Sequence, residues 1–142
     1  MQKFILILVV LSLSIVSCSK KKAFQLDTPI SLAMGESASC TNCAEKMSIS
    51  FTNIMEDSRC PTGTNCVWEG KAVIRLAVNM GKIQTIELMV KGNNKQRNTK
   101  SYRGYDFTFQ TLSPYPKYGE EIKTEDIRFT VLVQKQRNRG KV

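Results

Sequence analysis

Apolar and polar residues alternate with a period of two along several stretches of this chain, which is the pattern of half-buried β-strands. In the first stretch, Met47, Ile49 and Phe51 lie on one side, and serine and threonine residues lie on the other. The alternation returns at residues 72–79, 83–90, 105–110 and 127–134. No segment after residue 18 keeps a 3.6-residue period, so the pattern predicts an all-β fold.

The interruptions of this pattern predict how the strands are joined. Residues 53–55 break the alternation and indicate a β-bulge. Gly81 marks a tight hairpin turn, because glycine adopts positive φ easily. Residues 34–44 are small and polar and are interpreted as a loop, and the charged residues 120–126 fit one helical turn. The prediction is a single immunoglobulin-like antiparallel β-sandwich over residues 24–135, with a small β-barrel as the alternative and a basic tail at residues 136–142.

The first residues have the pattern of a targeting segment. An apolar run at residues 4–16 follows Lys3, and it is shorter than the roughly 20 residues of a membrane-spanning helix. The residues Ile15-Val16-Ser17-Cys18 resemble the lipobox of bacterial lipoproteins. The resemblance implies a signal peptide at residues 1–17, lipid on Cys18 and a basic tether at residues 18–23. An ordinary secretory signal with a chance cysteine, or a short anchor helix, is the alternative.

A lipid on Cys18 predicts a protein tethered to a membrane of the bacterial cell envelope. Ser19 follows the cysteine, in place of the aspartate that retains lipoproteins at the inner membrane, so the outer membrane is expected. The formal net charge is +9, with basic clusters at residues 20–22, 91–103 and 135–141. These clusters favour binding to anionic lipid or polysaccharide. An envelope protein is another candidate partner. The plainer interpretation is that the basic residues form a solvated tether and tail. No nucleic-acid-binding motif is present.

The chain has five cysteines, of which four remain if Cys18 carries lipid. An even number in an oxidising compartment predicts two disulfides among Cys40, Cys43, Cys60 and Cys66, with three possible pairings. The Cys40–Cys43 spacing also occurs in thiol oxidoreductases, and two such pairs can hold zinc. Both alternatives are weaker, because the pair precedes a strand and the protein is expected to be exported.

Residues 57–70 contain the pattern D-S-R-C-P-x4-C-V-W-x-G. This pattern resembles a family of small bacterial cell-envelope lipoproteins of unknown function, as does the strand at residues 105–112 followed by Pro114-Tyr115-Pro116. The resemblance implies a β-sandwich, export and a Cys60–Cys66 disulfide, which leaves Cys40 to pair with Cys43. Glu69 departs from the small residue of the family, and the resemblance implies no activity.

Three residues of this segment are candidates for recognition: Asp57, Arg59 and Trp68. Each has a plainer structural interpretation. Trp68 beside a disulfide is expected to fill the core and pack on sulfur. Asp57 is expected to bind loop amides, and Arg59 to pair or pack locally.

The sequence does not predict an enzyme, a metal site or a cofactor. It contains no histidine, no nucleophile-elbow serine and no phosphate-binding glycine loop. The favoured function is therefore a lipid-anchored binding or structural module of the envelope. One alternative is a protease inhibitor that presents the disulfide-closed loop Arg59–Cys66. A weak thiol-redox role of Cys40 and Cys43 is the other alternative.

Overall fold

Ten β-strands and one 3₁₀ turn lie within residues 22–92 and 96–137, the part of the chain that the computed structural model describes. The strands are β1 (Lys22–Phe24), β2 (Ile30–Ala33), β3 (Ser37–Cys40), β4 (Ser48–Asp57), β5 (Lys71–Asn79), β6 (Ile83–Lys91), β7 (Gln96–Arg97), β8 (Thr99–Tyr102), β9 (Tyr105–Ser113) and β10 (Arg128–Lys135). The 3₁₀ turn, Thr124–Asp126, lies in the segment that was predicted to form one helical turn. The predicted signal peptide, Cys18 and the end of the basic tail lie outside the described residues.

The strands form two sheets that pack face to face. One sheet has six strands in the order β1-β3-β4-β5-β6-β7, and the other has four in the order β2-β10-β9-β8. The β1–β3 ladder is parallel, and every other ladder in the described residues is antiparallel. Over these residues the outer strands of one sheet form no ladder with those of the other. The predicted sandwich is therefore confirmed, and the barrel alternative is wrong.

The core lies between the sheets and contains the apolar residues that the alternation placed inward. Phe51 of β4 packs against Phe129 of β10, with ring centroids 5.4 Å apart, and Phe109 of β9 packs edge-on against Phe129 at 5.1 Å. All three rings are fully buried. Burial of each such side chain stabilises the fold by about 1.5–3 kcal/mol, so these contacts hold the two sheets together. Further fully buried core residues are Leu32, Ile49, Ile74, Leu76, Val78, Leu88, Phe107, Val131 and Val133.

The predicted bulge and hairpin turn are both present. The β4–β5 register shifts twice, between Phe51 and Asn53 and between Ile54 and Glu56. Extra residues on one strand increase its local twist and bend it. Both register shifts lie in the half of β4 that leads into residues 58–70, so β4 bends as it approaches that segment. Gly81 has φ of 84° in the turn between β5 and β6.

Two boundaries differ from the sequence prediction. Residues 37–40 were expected in a loop but form β3, where Ala38 is the one buried residue and serines occupy the exposed positions. The first strand begins at Lys22, inside the predicted tether, so the sandwich starts before residue 24. No helix within residues 22–92 and 96–137 has the length and apolar character needed to cross a bilayer.

Candidate functional site

The connection between β4 and β5 is a loop closed by a disulfide, and we call residues 58–70 the stapled loop. Cys60 and Cys66 are bonded, with their Cα atoms 5.9 Å apart. A second disulfide joins Cys40 to Cys43 just after β3. This is the pairing that the family resemblance implied.

Arg59 fixes the stapled loop to the opposite sheet. Its guanidinium donates through Nε and Nη2 to the two carboxylate oxygens of Asp57, both at 2.7 Å. Nη1 donates to the carbonyl oxygen of Leu112 at 2.6 Å, and Nη2 donates to that of Pro114 at 3.3 Å. Arg59 is 5% exposed and is the one charged residue that the described part of the chain buries. Burial of this cation is tolerated because its donors have partners and a carboxylate balances the charge.

The segment at residues 113–118 packs beside the stapled loop and completes the same end of the molecule. The Thr62 amide donates to the carbonyl oxygen of Pro116 at 2.9 Å, and the Tyr118 amide donates to that of Thr62 at 3.0 Å. The ring of Tyr115 lies over the guanidinium of Arg59, with Cζ 4.9 Å from the ring centroid. We call residues 58–70 and 113–118 together the stapled-loop end.

Gly70 allows the stapled loop to close onto its own beginning. It has φ of 67°, and a Cβ at this position would overlap the carbonyl oxygen of Ser58. The Ser58 amide donates to the carbonyl oxygen of Lys71 at 2.8 Å, which joins the two ends of the loop. A glycine is therefore required here both for its backbone conformation and for space.

Charged side chains also join the two ends of the loop. The Lys71 ammonium lies 2.9 Å from Glu56, whose carboxylate also accepts a hydrogen bond of 3.0 Å from the Ser58 hydroxyl. The hydrogen bond from Lys71 and then that from Ser58 lower the pKa of Glu56 below its ordinary value.

Large apolar side chains project from this end into solvent. Val67 is 97% exposed, Tyr118 is 75% exposed and Trp68 is 61% exposed. The prediction that Trp68 fills the core is therefore wrong, because its side chain and that of its neighbour Val67 lie mostly in solvent. Trp68 remains a candidate for recognition.

The structure gives the other two recognition candidates a different role. The predicted local pairing of Arg59 is confirmed, and its burial prevents direct contact with a partner. Asp57 binds the Arg59 side chain, and it also accepts a long hydrogen bond of 3.4 Å from the Arg59 amide. Both residues support the site from within.

A pocket of about 300 Å³ opens between the stapled loop and Tyr115. The disulfide and Pro61 form part of its wall, together with Trp68, Glu69 and Tyr115, and Thr62 and Thr64 add hydroxyl groups. Sequence reasoning did not select Tyr115 or Glu69 as site residues. The Pro-Tyr-Pro segment was visible in the sequence, but nothing local indicated that it lies against a loop some fifty positions earlier.

The Cys40–Cys43 disulfide lies beside the start of β4, at the opposite end of that strand from the stapled loop, and the Cys40 amide donates to the carbonyl oxygen of Met47 at 2.8 Å. Both cysteines are half-buried. The Thr41 amide donates to the carbonyl oxygen of Phe24 at 2.9 Å, and the Leu26 amide donates to Asn42 Oδ1 at 2.8 Å. Cys40 ends a strand, so it lacks the helix N-terminus that commonly lowers a reactive thiol pKa. The thiol-redox role stays a prediction.

The described residues contain no group of three or more His, Cys, Asp or Glu side chains placed to share a metal ion. Comparison of the chain with protein-family models, with curated proteins and with solved structures found no match. The resemblance to envelope lipoproteins therefore stays a prediction that depends on the stapled-loop motif and the lipobox.

Proposed function

We propose that this protein is a lipid-anchored binding protein of the bacterial cell envelope that contacts its partner through the stapled-loop end. The observation that carries the proposal is the exposure of Trp68 and Val67 on a tightly held loop. Exposed aromatic side chains with an apolar neighbour are typical of interaction sites.

The rigidity of the loop supports a binding role. A disulfide, the buried Arg59 and the close approach at Gly70 each restrict the loop before any partner arrives. A preorganised surface loses little conformational entropy on binding, so more of the contact energy remains as affinity. The two packed sheets beneath the loop provide a fixed base for it.

The proposed anchor is the lipidated Cys18, and the proposed location is the outer membrane. Several acyl chains, at about 0.8 kcal/mol for each buried methylene, hold a protein firmly on a bilayer. The lysines at residues 20–22 favour the same membrane if its headgroups are anionic. An anchored β-sandwich with an exposed recognition loop suits an envelope protein or a polysaccharide as partner.

Metabolic labelling with palmitate tests the anchor. We expect the full-length chain to incorporate palmitate and to sediment with outer membranes, and Cys18→Ala to do neither. Ser19→Ala is the matched control and retains the label. A Cys18→Ala variant that still carries the label would refute lipidation at this residue.

Affinity capture from envelope extract tests the contact surface. The full-length chain, Trp68→Ala and Ile83→Ala serve as baits, because Ile83 is also exposed, at 66%, but lies at the start of β6. We expect Trp68→Ala to lose the captured material and Ile83→Ala to retain it. Equal capture by all three baits would place the contact surface elsewhere.

The protease-inhibitor alternative loses its strongest residue in this structure. A buried Arg59 has no free guanidinium to enter a protease specificity pocket. An inhibitory role would depend on the exposed tip, residues 62–65, alone. We therefore favour a binding module.

A further inference from the structure

We propose that the pocket between Trp68 and Tyr115 binds one neutral sugar ring of an envelope glycan. This inference rests on the proposed function, because it assigns a ligand class to the same stapled-loop end. The volume of about 300 Å³ lies at the lower limit of ligand pockets, which suits one small ring.

The aromatic lining suits the faces of a sugar ring. Trp68 is largely exposed beside the pocket, and Tyr115 is held in place by Arg59 and by its neighbouring prolines. The face of an aromatic ring is electron-rich, and the C–H groups on one face of a pyranose carry small positive charges. A sugar ring therefore packs against such a wall and keeps its hydroxyl groups at the pocket edge.

The polar lining consists mainly of hydrogen-bond acceptors. The Thr64 hydroxyl donates to the carbonyl oxygen of Pro61 at 3.1 Å, and the Thr62 hydroxyl donates to that of Pro116 at 3.4 Å. Both hydroxyls keep lone pairs free to accept, and the Glu69 carboxylate is an acceptor when it is ionised. Such a lining selects a ligand that carries many donors, which is the character of a sugar with its ring of hydroxyls.

Charge decides against ionic ligands. The Glu69 carboxylate in the lining repels an anion. A cation such as a quaternary ammonium group on the Tyr115 ring is repelled by the Arg59 guanidinium, which lies 4.9 Å from the ring centroid, whereas a neutral sugar is not. The net charge of +9 also repels cations at long range. A neutral ligand remains as the best match.

The single tryptophan of the chain makes the proposal directly measurable. The oxidised full-length protein in detergent is titrated with trimers of N-acetylglucosamine, glucose, mannose and galactose, and separately with tetramethylammonium chloride. We expect at least one sugar to shift the emission of Trp68 to shorter wavelength and to reduce its quenching by acrylamide at least twofold. No protection by any sugar at 10 mM, or protection by tetramethylammonium alone, overturns the proposal.

Variants that keep Trp68 as the reporter locate the binding. Glu69→Gln and Tyr115→Ala are each expected to weaken sugar binding at least tenfold, whereas Tyr118→Ala, which alters an exposed tyrosine outside the pocket lining, leaves it unchanged. Tyr115 also stacks on Arg59, so the exposed Glu69 provides the variant that does not disturb the fold. Unchanged affinity in Glu69→Gln and Tyr115→Ala overturns the assignment to this pocket. If affinity capture depends on Trp68 but no sugar binds, only the ligand class is refuted. If capture does not depend on Trp68 and no sugar binds, the proposed function is refuted as well.

Discussion

The guanidinium of Arg59 donates a hydrogen bond of 2.6 Å to the carbonyl oxygen of Leu112, 53 positions later in the chain. This bond joins the stapled loop, which follows a strand of the six-stranded sheet, to the end of β9 in the other sheet. Asp57, the last residue of β4, balances the charge of the guanidinium. Arg59 therefore fixes the position of the stapled loop relative to Tyr115, together with the backbone hydrogen bonds that Thr62 makes to Pro116 and Tyr118.

Arg59→Ala is expected to destabilise the protein by about 3 kcal/mol, because it leaves Asp57 and two carbonyl oxygens without their donor. Arg59→Lys should recover less than half of this loss, since an ammonium group cannot reproduce the planar fork. Arg75→Ala is the matched control. It removes a solvent-exposed ion pair with Glu87 and should cost less than about 1 kcal/mol. Urea unfolding measures all three, and wild-type stability in Arg59→Lys would contradict the fork geometry.

Gly70→Ala and Gly81→Ala separate backbone strain from lack of space. Both glycines have positive φ, so alanine costs about 1 kcal/mol at either position. Only at Gly70 does the new Cβ overlap a carbonyl oxygen, which adds about 1–3 kcal/mol. Thermal unfolding should give Gly81→Ala a clearly higher melting temperature than Gly70→Ala. Equal losses of stability would show that the loop shifts to make room for the new Cβ.

Trp68→Ala should change the free energy of unfolding by less than about 0.5 kcal/mol, because the side chain is mostly in solvent. Phe129→Ala should cost about 3–5 kcal/mol, because that ring is fully buried between the sheets. Chemical denaturation followed by far-ultraviolet circular dichroism compares the two without relying on tryptophan fluorescence. A large loss in Trp68→Ala would mean that the side chain supports the fold.

Glu36 should make stability depend on acidity. Burial opposes its ionisation, but the hydrogen bonds from the Ala33 amide, at 2.8 Å, and from the Lys22 ammonium, at 3.0 Å, outweigh that effect and lower its pKa. A carboxyl whose pKa is lower in the folded state stabilises fully above its unfolded pKa, about 4.3, and loses this contribution as pH falls through the folded value.

Glu36→Gln is therefore expected to lower the free energy of unfolding at pH 6 and to leave it unchanged at pH 2, where Glu36 is protonated. The difference should stay below about 1 kcal/mol, because the side chain is about a third exposed. Urea unfolding of the variant and the wild type from pH 6 to pH 2 measures this difference. A constant difference across that range would mean that Glu36 does not titrate in this way.

The sequence predicted the strands whose inward positions carry large apolar residues, and it failed where that signal is weak. In β3 the buried position is an alanine, and β8 at the edge of its sheet is mostly polar, so neither shows strong alternation. The bulges of β4 were predictable because two polar or apolar residues in succession interrupt a regular pattern.

The candidate site was predicted less well than the fold. The motif identified the stapled loop and its disulfide, but the orientation of Trp68 depends on which side of the loop faces the core. The burial of Arg59 depends on carbonyl groups at Leu112 and Pro114, and a pattern within residues 57–70 contains no information about them. Long-range contacts of this kind require the folded structure.

The short parallel ladder between β1 and β3 determines how the sandwich responds to mechanical load. Any pull on the chain ahead of Lys22 is delivered to a strand of three residues at the edge of its sheet. At the end of that strand the Phe24 carbonyl oxygen accepts a hydrogen bond from the Thr41 amide, and beyond it the Leu26 amide donates to Asn42 Oδ1, so the tension passes to the segment that the Cys40–Cys43 disulfide closes. The disulfide therefore limits how far this segment can extend under load, and Trp68, in the connection between β4 and β5, lies outside the segment that it closes.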